Sequence, residues 1–128
     1  MKLLLDTHIW IWLLQNPERL GPRTQQELSN KANELWVSPI SSWEALMLHR
    51  KKRVELSADF LTWLKQSTPG FLQAPFTHEI VVAAEYLDLH ADPADRFLAA
   101  TAQVLDLTLV TADQRLLGIG NIRTMANR

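Results

Sequence analysis

Asp92-Pro93-Ala94-Asp95-Arg96-Phe97-Leu98-Ala99-Ala100-Thr101-Ala102 is followed, past Asp106, by Leu107-Thr108-Leu109-Val110-Thr111. The first run reads as a helix over 92–106 and the second as a short strand. Pro93 fits the first helical position, where its missing N–H costs nothing. Asp92 then falls at the N-cap and Asp95 at the third helical residue, both near the positive end of the helix. Behind them only Arg96, Gln103 and Asp106 are clearly polar, the pattern of a buried helix. An acid at the mouth of such a helix is costly unless something compensates its charge. Asp92 alone reads equally well as a helix cap. Asp95 asks for a partner.

Working outward, the same unit recurs. Leu3-Leu4-Leu5, ended by Asp6, is a continuous apolar run of the kind buried on both faces of a parallel sheet. Ile9, Trp10, Trp12, Leu13 and Leu14 follow at helical spacing, and one long strand over 3–14 is disfavoured by its length. Asn16-Pro17 and Gly21-Pro22 break the pattern, and the polar segment 23–33 reads as a solvated helix. Leu35-Trp36-Val37-Ser38 is a second strand. After it comes a helix over 40–51, with Ile40, Trp43 and Met47 on its inner face. A helix over 57–66 turns Phe60, Leu61 and Leu64 inward. Phe71-Leu72-Gln73 is a third strand, after a Pro69-Gly70 turn. Thr77 caps a helix through Leu87 with a stripe of Ile80, Val81, Ala84 and Leu87. Ile122–Met125 is a short edge strand. Strands alternating with helices imply an α/β fold with a central, mostly parallel sheet and helices on both faces. Ligands in such folds bind beyond the carboxyl ends of the strands.

The chain has 128 residues, 47% of them hydrophobic and 21% charged, which fits one domain over 1–128 with a real core and excludes a disordered chain. A net charge of −1 excludes a protein that coats nucleic acid nonspecifically, so a polyanion must be met by local basic groups or a metal. There is no cysteine, which excludes disulfides, thiolate catalysis and Cys-based zinc sites and suits a reducing cytoplasm. The opening apolar run is too short for a signal peptide or a membrane span.

In a parallel sheet, strand C-termini and the helix N-termini after them share one rim. Asp6, Glu44 and Asp113 therefore gather there by topology, and Asp95 joins them if its crossover helix begins at that rim. Read singly, Asp6 is a cap, Asp113 a turn residue and Glu44 a solvated helical acid. Together, four carboxylates could not all ionise unaided, and a hard divalent cation resolves their repulsion. Such clusters suit metal-assisted phosphodiester hydrolysis.

Four blocks carry a resemblance: Leu3-Leu4-Leu5-Asp6-Thr7-His8, Ser41-Ser42-Trp43-Glu44-Ala45, Asp92-Pro93-Ala94-Asp95-Arg96-Phe97-Leu98 and Leu109-Val110-Thr111-Ala112-Asp113. In order and spacing the sequence resembles the PIN-domain ribonucleases, above all toxins of the VapC type. The resemblance spans essentially the whole chain and implies a three-layer α/β/α PIN-like fold around a sheet of four to five strands. It further implies an acidic quartet of Asp6, Glu44, Asp95 and Asp113, with Asp6 and Asp95 as direct magnesium ligands and manganese as a substitute. The implied activity is metal-dependent endonucleolytic cleavage of RNA, leaving a 5′-phosphate. The implied partners are a small antitoxin and a second copy of the chain. Asp92 remains a cap and an acid beside the metal, and Thr111 a hydroxyl that orients the acids. Arg96 is expected either on a phosphate or, preferably, on an acid of the cluster.

Other features stay open between function and structure. Arg50-Lys51-Lys52-Arg53 is the only dense basic run and reads as a phosphate contact or a solvated helix end. Trp10 and Trp12 cannot both face inward from one helix. His8 and His90 lack a zinc spacing and read as structural. A haloacid-type phosphatase would need an acid where His8 stands. A non-catalytic PIN-like binding domain would be favoured by loss of a quartet acid, and none is lost.

Overall fold

The computed structural model describes residues 1–66, 68–88 and 92–128. Five strands form one sheet: β1 (Lys2–Leu5), β2 (Glu34–Val37), β3 (Leu72–Gln73), β4 (Thr108–Thr111) and β5 (Arg123–Ala126). Their order is β3-β2-β1-β4-β5 and every pairing is parallel. The chain builds outward from β1 to β2 and β3, then returns to add β4 and β5 on the other side. The switch point thus falls between β1 and β4, where the connections diverge and leave a crevice at the carboxyl ends.

The helices among the described residues are α1 (Thr7–Gln15), α2 (Pro22–Ser29), α3 (Pro39–Arg50), α4 (Ala58–Leu64), α5 (His78–Glu85), α6 (Pro93–Leu105) and α7 (Gln114–Leu117), with a 3-10 turn at Pro17–Arg19. The strand alternation sorts the core into two layers. Leu4 and Leu109 pack under α5 and α6, against Ile80, Ala84, Leu98 and Ala99. Leu3, Leu5 and Val110 face the other way, against Ile9, Trp10, Leu28 and Phe60. Trp10 is fully buried, its ring 5.3 Å from that of Phe60. The three-layer α/β/α expectation therefore holds, with five strands.

Local chemistry sets the helix ends. Ser38, Ser57, Thr77 and Asp92 cap α3, α4, α5 and α6 through side-chain oxygens. Asp106 ends α6 in the left-handed region, at φ 56°, a conformation that asparagine and aspartate tolerate better than most residues. The last residues are fastened down. The Asn127 amide donates to the Thr111 carbonyl at 3.0 Å, while its side chain accepts from the Gly21 amide and donates to the Arg19 carbonyl. A Cβ on Gly21 would lie 1.7 Å from the Arg128 carbonyl carbon, so only glycine fits that approach.

Two expectations about faces are corrected. Trp43 does not face inward: it is 55% exposed, and α3 buries Ser41, Glu44, Ala45 and Leu48 instead. The apolar residues of α3 were a misleading guide because its buried stripe carries the polar Ser41 and Glu44. Val81 is 40% exposed; the stripe of α5 is Ile80 and Ala84, continued by Leu87. The helix α7 was not foreseen, being a single turn capped by Asp113. The polar segment 23–33 is helical only to Ser29 and anchors through Thr24 and Leu28.

The layer assignment has a direct check. Leu4→Ala, which leaves a cavity between β1 and α6, is expected to lower the unfolding free energy by about 2–5 kcal/mol in urea titration. Val81→Thr, on the open face of α5, is expected to change it by less than about 0.5 kcal/mol.

Candidate active site

Asp6 immediately follows β1 and caps α1. Its carboxylate accepts from the Thr7 amide at 2.7 Å and from the Thr111 hydroxyl at 2.6 Å. The β1–β4 pairing makes this possible, since the Asp6 amide itself donates to the Val110 carbonyl at 3.0 Å. Thr111 also accepts from the Asp113 amide at 3.0 Å. One hydroxyl thus bonds the Asp6 carboxylate and the Asp113 backbone amide, joining two of the four expected acids. Thr7 extends the network to α3. Its hydroxyl donates to Ser41 Oγ at 3.0 Å.

Asp92 caps α6 by accepting from the Asp95 amide at 3.0 Å. That places Asp95 in the first turn, buried, beside the other acids. Asp6, Glu44, Asp92, Asp95 and Asp113 line one cleft of about 330 Å³, together with His8, Trp12 and Arg115. All four acids of the expected quartet are therefore brought together, and the crossover helix does begin at the rim.

The electrostatics follow from burial and crowding. Burial, then Asp6, Asp92, Glu44 and Asp113, push the Asp95 carboxyl up to about 7. Burial also raises Asp6, against the hydrogen bonds from Thr111 and Thr7 that lower it. Glu44 is raised by burial and by Asp6 and Asp92, with the Thr7 side chain opposing. Asp113 alone is held below the usual range, chiefly by its hydrogen bond from Arg115. Arg115 grips Asp113 at 2.8 Å and lies 3.6 Å from Asp95. At the longer distance it does not offset burial and four neighbouring carboxylates.

Oxygen-only donors suit a hard divalent cation. Among the described residues, carboxylate oxygens of Glu44, Asp92 and Asp95 lie within 4.8 Å of one another. This grouping joins Asp95 to Glu44 and Asp92, whereas the expected ligand pair was Asp6 and Asp95. Asp6 has both oxygens engaged by hydrogen bonds, and the exposed Asp92 stands closer to a ligand role than a cap alone implied. The donor set fits such a cation.

Some placements differ from expectation. The Arg96 guanidinium donates to the carbonyls of Ala84 and Glu85 at the end of α5, and it is Arg115 that stands beside Asp95. The sequence signal for Arg115 was weak: a basic residue two positions after a helix-capping aspartate. His8 is exposed on the rim of the cleft and supplies no second acid of the phosphatase kind. Trp12, not Trp10, is the outward tryptophan of α1. His90 lies outside the described residues.

The PIN domain family model matches residues 3–121. The chain belongs to the PIN-domain family. It is 35% identical over 115 residues to ribonuclease VapC22 of Mycobacterium tuberculosis (strain ATCC 25618 / H37Rv), covering 88% of each chain. The PIN fold is shared with a chain of the VapBC2 structure from Rickettsia felis bound to a DNA fragment from their promoter, at TM-score 0.73, 18% identity and 98% coverage of each chain. It is shared equally with a chain of DNA-bound VapBC from Salmonella typhimurium, at TM-score 0.74, 16% identity and coverage of 100% and 99%. PIN domains are a family of metal-dependent nucleases, and the acid cleft of this PIN domain lies at the switch point of its sheet. Among the described residues no helix is long and apolar enough to cross a membrane.

Raised carboxyls make a signed prediction. Between about pH 4 and about pH 7 the folded chain holds a proton at Asp95 that the unfolded chain releases, so stability falls as pH rises. Asp6 and Glu44, also raised, push the same way. Asp113 acts oppositely: its contribution is present above its unfolded value and lost only as pH falls through its lower folded one. In chelator, the melting temperature is expected to drop from about pH 5 to about pH 8, and millimolar magnesium to reduce that drop by binding the ionised acids. Arg115→Gln is expected to melt lower than the unaltered chain in chelator, with saturating magnesium narrowing the gap. A melting temperature indifferent to pH and metal would contradict a crowded acidic site.

Proposed function

We propose that this PIN domain is the toxin component of a toxin–antitoxin pair, a magnesium-dependent endoribonuclease that hydrolyses RNA phosphodiester bonds and leaves a 5′-phosphate. The observation that carries the reading is the convergence of Asp6, Glu44, Asp95 and Asp113 on one cleft, with Asp95 pushed up to about 7. The kinship with a VapC ribonuclease supports the substrate class. Glu44, Asp92 and Asp95, together with Asp6, would hold the cation, magnesium first and manganese as a substitute. When bound, such a cation supplies charge neutralisation at the phosphate and an acidified water.

The chain's own residues do the positioning. Thr111 and the Thr7 amide fix the Asp6 carboxylate, so it need not reorganise during the reaction. Asp92 fixes the start of α6 and hence Asp95. Burial and the neighbouring acids raise the Glu44 and Asp95 carboxyls, so the cleft holds protons that a bound cation would displace. Arg115 stands at the mouth of the cleft, where its planar guanidinium suits a phosphate oxygen.

The proposal extends to partners and place. Residues 1–128 act as one domain in the cytoplasm, where the substrate is. An antitoxin holds the enzyme in check, a reading supported by the kinship with a VapC chain. Exposed apolar side chains on α3 (Trp43, Leu46), on α5 (Val82) and just after it (Tyr86) support a homodimer.

The deciding experiment is cleavage of total RNA with and without magnesium, mapping the new 5′ ends. Cleavage should need the metal. Asp6→Asn and Asp95→Asn should each lower the rate at least about 100-fold, as for loss of one group positioned for proton transfer or charge stabilisation. Thr111→Val, which leaves the acids but removes their orienting hydroxyl, should cost about 10–100-fold. Cleavage that persists in chelator, or is untouched in Asp6→Asn, would sink the mechanism.

A further inference from the structure

The acid cleft does not end at the acids. His8 and Trp12, which line it, also line an adjoining groove of about 770 Å³. That groove runs between α1, the Pro17–Arg19 turn and the 53–57 loop. Arg19 and Arg53 reach into it, as does Glu55. Both arginines are exposed, and among the described residues neither has a carboxylate within ion-pair distance. Arg19 is held by packing instead, its guanidinium carbon 5.7 Å from the centre of the Trp12 ring. On the same helix the His8 and Trp12 rings sit 5.9 Å apart, tilted by 55°.

This arrangement answers a problem that the cleft creates. A chain of net charge −1 with five acids around its cleft repels a polyanion at the point where it must bind one. A bound cation relieves the scissile phosphate alone. The flanking phosphates need positive charge nearby, and guanidiniums without carboxylate partners supply it. The flanking bases need flat apolar faces, which Trp12 and His8 offer beside the cleft. Of the basic run 50–53, Arg53 is the member that lines this groove, which separates a phosphate-contacting residue from its solvated neighbours. A duplex would hide its base faces, so these groups suit an unpaired strand.

We propose that this groove binds the single-stranded RNA running away from the cleaved bond, with Arg19 and Arg53 on its phosphates and Trp12 stacking one of its bases. The proposal rests on the nuclease reading above. It makes the groove the part of the enzyme that selects unpaired RNA, while the cleft does the cutting.

The test pairs two substrates. Bis(p-nitrophenyl) phosphate is a phosphodiester too small to reach the groove, and a short labelled single-stranded RNA spans both regions. For Arg19→Gln with Arg53→Gln, turnover of the small diester should be unchanged while KM for the RNA rises. In an Asp6→Asn background, which isolates binding, the slope of log affinity against log salt should become shallower by about 1.4, or 0.7 for each lost phosphate contact on a single strand. Trp12→Ala should weaken binding roughly 5- to 150-fold. Trp12→Phe keeps a ring and should recover most of that loss, which separates stacking from a folding defect. Variants that bind and cleave RNA like the unaltered chain would overturn the proposal. If those variants instead stop co-purifying with the protein encoded by the neighbouring gene, the groove belongs to a protein partner. An unaltered chain that cleaves neither substrate would count against the nuclease reading itself.

Discussion

The hydrogen bond from the Thr111 hydroxyl to the Asp6 carboxylate, 2.6 Å long, joins the ends of the two central strands. The site depends on it. It exists because β1 and β4 are neighbours in register although about a hundred residues apart in sequence. Asp6 is almost fully buried, and an ionised carboxylate there must be met by donors. Thr111 and the Thr7 amide are those donors. They hold the carboxylate in one orientation, and their positions are set by strand pairing rather than by loops.

Around this pair the chain concentrates like charge. Three of the helices begin at the cluster: α1 capped by Asp6, α6 by Asp92 and α7 by Asp113. Their N-terminal dipoles favour the anions, and Arg115 adds a guanidinium in contact with Asp113 and Asp95. The balance still leaves Asp6, Glu44 and Asp95 raised. A core packed for stability alone would not place a carboxyl at about 7 in a crevice beside four others. Local destabilisation of this kind is what functional sites impose on an otherwise consistent fold.

Much of this was legible from residue order. Leu3-Leu4-Leu5 and Leu107–Thr111 announced buried parallel strands because both of their faces are apolar, and Asp92-Pro93 announced a helix start through cap chemistry. Once the sheet is parallel, Asp6, Glu44 and Asp113 fall on one rim by necessity. The failures came where one periodicity served two purposes. On α3 the buried stripe contains Glu44, so a search for apolar spacing turned Trp43 inward when it faces out. Contacts between residues distant in sequence were not legible either. Arg115 at Asp95, Ser41 at Thr7 and Asp92 beside Glu44 depend on how helices seat against one another, which spacing along one helix does not encode. The one-turn helix α7 is too short for any periodic signal.

Asn127 gives the molecule a property that neither the cleft nor the groove has alone. Its backbone amide is bonded to the carbonyl of Thr111, buried at the end of β4 beneath the cleft, and its side-chain amide to the carbonyl of Arg19, whose guanidinium enters the groove. One residue just past β5 therefore acts as a strut between the end of β4, beneath the acid cleft, and the turn that borders the groove. The spacing between them is a backbone dimension, set by the rigid edge of the sheet. Under the RNA-binding role proposed for the groove, that spacing sets how many nucleotides separate the strand's grip from the cleaved bond.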